Sequence, residues 1–322
     1  MSDPVGRALP GAGRAAPGLP APLRGRPQFD GVLAWYFVIV WGAGYLATRL
    51  GLMHAPPFTF LSLRFGAAAL CMLAIVVLVR PPTAHLHLGH LIVAGLLMHA
   101  VNLGGSHYAQ YLGLAAGTSA LILAAQPLLT AAIAGRWLGQ PASGRQWVGV
   151  AIGLAGVAMV VAHKIDLAEV NAANLASVAI ALLAITLGTL YQRHYCPDVD
   201  LRLAMLVQLA ASWALVTPLA LAIEGFPVDW SPGLFAALGF LIVGASILAN
   251  IALHTLMRHG EATRVTSILY LTPVIAVLLE WWLFGEAPTG LTVVGGAIVC
   301  AGVALASWRP TKAANPALPP TT

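Results

Sequence analysis

The sequence predicts an all-α integral membrane protein of ten transmembrane helices, arranged as two inverted five-helix repeats with both termini cytoplasmic. Three observations predict it. Of 322 residues, 59% are hydrophobic and only 8% charged, against about 25% charged in ordinary soluble domains. The apolar residues gather in runs long enough to cross a bilayer, which takes about 20 residues. And one sentence of sequence is written twice: LGQPASGRQWVGVAIGLAGVAMV from Leu138 returns as FGEAPTGLTVVGGAIVCAGVALA from Phe284, 146 positions later.

Residues 1–30 come first and differ from the rest. They hold six prolines and four arginines, too little apolar area to offset the entropy of ordering, and predict a disordered cytoplasmic tail. The segment lacks the apolar core of a signal peptide. Its arginines suit a transit peptide, but its prolines oppose the amphipathic helix one would need. The spans follow at 31–53, 57–79, 88–111, 116–137, 145–162, 171–194, 201–223, 232–257, 263–284 and 289–308. Turn residues separate them: HAPP at 54–57, RPPT at 80–83, GQPASG at 139–144, CPD at 196–198, EGFP at 224–227 and GEAPTG at 285–290. Residues 309–322 form a second proline-rich tail. The runs are too long and too evenly apolar for barrel strands, which alternate over about ten residues.

Charge fixes the orientation. With the N-terminus in the cytoplasm, that side holds Arg7, Arg14, Arg24, Arg26, Arg80, Arg136, Arg145, Arg193, Arg202, Arg258, Arg264, Arg309 and Lys312, and the opposite side only Lys164. Such asymmetry is the positive-inside pattern. The net charge of +5 is thus no nucleic-acid signal. The scattered Cys71, Cys196 and Cys300 suggest neither a disulfide framework nor a metal site.

Residues 116–158 align with 262–304 without a gap. Pro127 meets Pro273, and Gly139, Gly144, Gly149 and Gly156 meet Gly285, Gly290, Gly295 and Gly302. A weaker match pairs Gly44–Arg49 with Gly188–Arg193. Five spans per copy is odd, so the copies, 31–162 and 171–308, lie upside down to one another, a transporter architecture.

Trp41-Gly42 with Arg49, Arg64-Phe65, Pro127-Leu128, Leu138-Gly139, Gly149, Gly156, Pro273-Val274, Phe284-Gly285-Glu286, Gly295 and Gly302 together resemble the drug/metabolite transporter superfamily, EamA type, over roughly 31–308. The usual Gly-Glu after the fourth span is here Gly139-Gln140. The resemblance implies a central cavity lined by spans 1, 3, 4, 6, 8 and 9, and export of amino acids or related metabolites by alternating access.

Candidate cavity residues follow. His99, Asn102, Ser106 and Gln110 in span 3 share one helical face, as do Ser246, Asn250 and His254 in its repeat partner, span 8. They serve equally as polar glue between helices. Pro127 and Pro273 each remove a helix hydrogen bond and shape the cavity or simply kink the helix. Arg64 lies about two turns into span 2, where charge is costly and is paired or functional; it clamps the external loop or binds a carboxylate. Trp41, Tyr108, Gln126, Tyr191, Gln192 and Tyr270 are further candidates. Glu280, the one acid inside a span, is the proton-coupling candidate, or else reaches the interface beside Trp281 and Trp282. The glycines of spans 5 and 10 point to helix packing.

The function expected is a secondary transporter of small organic metabolites in the cytoplasmic membrane, its partners being the solute and the bilayer, with no cofactor and no nucleic acid. Monomer and homo-oligomer remain equally open. The alternatives are an intramembrane enzyme, which the absence of HExxH, paired acids or a Ser/His/Asp set within the spans opposes, and a non-transporting scaffold, which the short loops oppose. Phosphorylated solutes are disfavoured because no lysine lies within a span.

Overall fold

A computed structural model of the chain describes residues 27–83, 86–137, 143–166, 170–197, 199–249 and 271–307. Asn250, His254, Tyr270, Gly139, Gln140 and most of both tails lie outside the described residues. The described residues are helical throughout, with no strand. We number the helices α1 (Pro27–Leu52), α2 (Pro57–Val79), α3 (Leu88–Tyr111), α4 (Ala116–Leu123), α5 (Gln126–Trp137), α6 (Gly144–Asp166), α7 (Ala172–Tyr195), α8 (Leu201–Glu224), α9 (Pro232–Leu248), α10 (Thr272–Phe284) and α11 (Gly290–Ser307).

Seven spans are long and apolar enough to cross a bilayer: six of these helices singly, and α4 with α5 as Ala116–Ala134. Three more, Pro232–Leu248, Thr272–Phe284 and Gly290–Ala306, are shorter and also apolar. Large apolar side chains face outward: Leu78 is 82% exposed and Trp282 78%. In water such a surface drives aggregation; in lipid it is solvated.

Local chemistry sets the helix ends. Pro27 opens α1, inside the segment expected to be a tail, because a first-turn residue needs no intrahelical N–H partner. Asn171 and Asn174 form a reciprocal capping box on α7, and Ser231 caps α9. Gly285 ends α10 at φ 73°, a left-handed conformation glycine adopts without strain.

Pro127 and Pro273 fall in the first turns of α5 and α10. Before α5 the chain turns at Ala124 and Ala125, where Ala125 N–H donates to Ile122. A second irregularity recurs. Leu96–Val101 of α3, Ala220–Glu224 of α8 and Phe240–Leu248 of α9 are π-helical, an i→i+5 geometry frequent at functional sites.

Packing is also paired. α1 lies on α9 and α10, while α7 lies on α3 and α5; α2 packs on α8 and α6 on α11. Between lipid-solvated helices, close fit rather than water exclusion supplies the attraction. At α6–α11 the fit needs glycine. A Cβ on Gly149 would stand 2.7 Å from the Gly302 carbonyl, and one on Gly156 2.8 Å from the Gly295 carbonyl. Phe60, Phe65, Leu209 and Leu241 anchor the α2–α8–α9 core; Leu128, Val178 and Val299 anchor the α5–α7–α11 core.

Candidate functional site: a central cavity

The helices enclose a cavity of about 500 Å³. Its wall takes Trp41, Tyr45 and Thr48 from α1, Arg64 and Phe65 from α2, and His99, Asn102, Ser106, His107 and Gln110 from α3. Gln126 and Pro127 come from α5, Thr189 and Gln192 from α7, Gln208 from α8, Ser246 from α9, Thr272 and Pro273 from α10, and Cys300 from α11. Helices α2, α8 and α11 thus join the six spans expected to line it.

Of the sequence candidates, Trp41, Arg64, His99, Asn102, Ser106, Gln126, Pro127, Ser246 and Pro273 meet at this cavity. Gln110 and Gln192 join them. Tyr191 does not. Its hydroxyl pairs with His90 Nδ1 at 2.7 Å, and His90 stacks on Tyr195 at 4.6 Å, outside the wall. Tyr108 stacks on Phe58 with ring centroids 6.1 Å apart, also outside it.

The α3 π-segment turns His99 towards α8, where its Nε2 pairs with Gln208 Oε1 at 3.3 Å. Gln208 Nε2 in turn donates to Gln192 Oε1 at 3.2 Å. One polar chain thus crosses from α3 through α8 to α7. Asn102 is held by a bond from Nδ2 to the Met98 carbonyl, 3.1 Å, and Ser106 Oγ pairs with Ser119 Oγ at 3.3 Å. Ser246 Oγ donates to the Leu241 carbonyl five residues back, 2.9 Å, the spacing of the π-turn it occupies. Arg64 has no ion pair among the described residues.

Glu280 lies beside the cavity rather than in its wall. Its side chain is 6% exposed and ion-pairs with Arg49 of α1 at 3.1 Å. Its two oxygens accept the backbone N–H groups of Ala116, 2.7 Å, and Gly117, 2.8 Å, at the start of α4. Glu286 also pairs with Arg49, whose guanidinium lies 4.1 Å over the Phe284 ring. The same end of the bundle carries His54–Asp229 at 2.9 Å. There Glu224 also accepts from Phe58 N–H, 3.0 Å, and Thr59 N–H, 2.7 Å. Ionic contacts therefore tie this end, the His54 end, together. At the other, Leu86, Leu91, Cys196 and Ala204 make an apolar cluster, and the cavity wall reaches Gln192 and Leu201.

Sequence reasoning missed Arg49–Glu280, Gln208, His107 and Tyr45. The first joins residues 231 positions apart. Gln208 shares its face of α8 only with Ser212 four residues on, too short a polar stripe to mark it. No cluster of three or more metal-ligating side chains occurs among the described residues.

A solved crystal structure matches this fold with TM-score 0.64 over 87% of this chain and 97% of its own, at 18% identity. The uncharacterized inner membrane transporter YedA of Escherichia coli K12 is 32% identical over 265 residues, 81% of this chain and 84% of YedA. The probable amino-acid metabolite efflux pump of Escherichia coli K12 is 24% identical over 288 residues, 85% of this chain and 93% of the pump. The model of the EamA-like transporter family matches twice, at residues 31–162 and 173–308. Composition, outward apolar surface, cavity and kinship agree: the chain belongs to the EamA-like transporter family and is a multi-pass transporter of the cell membrane.

Proposed function

We propose that the protein is a secondary exporter of small organic metabolites, amino acids among them, working by alternating access between two inverted five-span halves. The observation that carries the mechanism is the pairing of the fold. The first half packs α1 on α9 and α10 as the second packs α7 on α3 and α5. Both halves place a π-segment in the third span and a proline in the first turn of α5 and of α10; a third π-segment, Ala220–Glu224 of α8, has no counterpart in α2. Seven long spans and three shorter ones support a count of ten, which puts both termini on one side, and the arginine bias names that side as the cytoplasm.

In this reading the His54 end is external and shut. Arg49 and the α4 N-terminus belong to the first half, Glu280 and Glu286 to the second, so their contacts bolt the halves together. Opening outward requires this bolt to part. Protonation of Glu280 would neutralise it, which keeps Glu280 the proton-coupling candidate although it does not face the solute. Amino-acid metabolites as cargo rest on kinship with the efflux pump above and on a largely apolar cavity with a few polar groups.

The test is counterflow and uptake in proteoliposomes against an amino-acid panel, with and without an imposed pH gradient. Saturable flux of at least one compound, accelerated by the gradient, is expected. Flux no faster than in protein-free vesicles for every compound, with correctly inserted protein, rejects the transporter mechanism.

A further inference from the structure

Arg64 is a fixed cation in the wall of an otherwise uncharged cavity. Among the described residues, the wall contains no Asp or Glu, and no carboxylate lies within ion-pair distance of Arg64. The two histidines that share its wall, His99 and His107 of α3, add no negative charge. Arg64 is half-buried, and a guanidinium at membrane depth without a counter-ion is costly and marks a substrate pathway. Three other wall atoms are also unmatched: Gln110 Oε1, His107 Nδ1 and Thr272 Oγ1 are buried and make no hydrogen bond among the described residues. Such groups await a partner.

We infer that Arg64 is the anion subsite of the cavity and that the carried solute bears a carboxylate. The guanidinium fork suits the two oxygens of that group. Gln110, His107 and Thr272 then meet a second polar group on the solute, while Trp41, Phe65 and Leu241 face its apolar body. One fixed charge balances a carboxylate and leaves a phosphate dianion half-neutralised. The assignment rests on the transporter reading and narrows its cargo.

The probes are L-leucine, L-methionine and L-phenylalanine, each beside its amide, with inorganic phosphate as a separate arm. Dissociation constants come from ligand-dependent thermal stabilisation of the detergent-purified protein. At least one acid is expected to bind tenfold or more tightly than its amide, with phosphate weaker still. Arg64→Gln should erase the preference for acid over amide, and Arg64→Lys should keep it. Equal binding of acids and amides, failure of all three acids, tighter binding of phosphate, or a preference that survives R64Q each overturns the assignment. The acid–amide comparison in the wild type decides the matter even if the variants do not fold. In proteoliposomes, flux of the amides or of 3-methylbutylamine alone would sink the carboxylate subsite and leave transport standing. Absence of all flux would sink transport itself.

Discussion

Arg49 and Glu280, 231 residues apart in sequence, meet 3.1 Å apart beside the first turn of α4, whose Ala116 and Gly117 N–H groups Glu280 also accepts. A helix N-terminus and a guanidinium both favour an anion, so the carboxylate satisfies three donors on two helices at once. The arrangement also explains a glycine, because a Cβ at Gly117 would stand 2.7 Å from Glu280 Oε2. Glu280→Gln keeps the shape but removes the charge, and its amide N–H₂ must face a donor. Arg49 is 28% exposed, so water softens the loss, and about 1–3 kcal/mol of destabilisation is expected. Thermal unfolding in detergent should fall by several degrees. A cysteine at Thr48, in a Cys300→Ser background, should react faster with an impermeant thiol reagent from the His54 side in E280Q than in the parent. Unchanged reactivity would mean that the contact is not the bolt.

Close approach of α6 to α11 depends on the absence of side chains at Gly149, Gly156, Gly295 and Gly302. Gly156→Leu must separate two backbones, and overpacking of this kind costs about 1–3 kcal/mol or more. Gly144 has open space around its would-be Cβ, so Gly144→Leu is the control. Fluorescence-detected gel filtration of membrane extracts should show loss of the monodisperse peak for G156L and not for G144L.

Orientation has a direct readout. His54 ion-pairs with Asp229 at one end of the bundle, and Arg80 closes α2 in a left-handed turn at the other. In a cysteine-free background, Cys at position 54 should label in intact cells, and Cys at position 80 only after permeabilisation. The reverse pattern inverts the proposed topology, and equal labelling of both dissolves it.

The sequence was legible where one residue type carries one physical consequence. Apolar runs predicted spans because lipid leaves the backbone no other way to bond, and the glycines of α6 and α11 predicted a tight interface because only a missing Cβ permits it. The α3 stripe of His99, Asn102, Ser106 and Gln110 also reaches the cavity. What stayed hidden depended on distant partners or on helix phase. Glu280 looked like a lone acid because Arg49 lies in another half of the chain. No residue pattern announced the π-turns, which show only in which carbonyl each N–H chooses; Ser246 reaching back five residues to Leu241 is their local mark.

Those π-turns give the last prediction. A π-segment holds one more residue than the α-turn it replaces, so it absorbs that residue and keeps the helix beyond it in phase with the helix before it. In α3 the segment Leu96–Val101 is π-helical and Asn102–Tyr111 is ordinary α-helix. Deleting Leu97 should restore the α-geometry and leave Ser106 and Gln110 on the cavity wall. Deleting Leu103 instead rotates everything beyond it by about 100°; it should turn Ser106 and Gln110 off the wall and carry Gly105, which fits tightly against Ser177 and Ala181 of α7, out of register. The Leu103 deletion should abolish flux in proteoliposomes, whereas the Leu97 deletion should keep part of it. Both proteins should reach the membrane, as read by surface-labelled expression. Normal flux in the Leu103 deletion would show that the phase of α3 does not matter to the cavity.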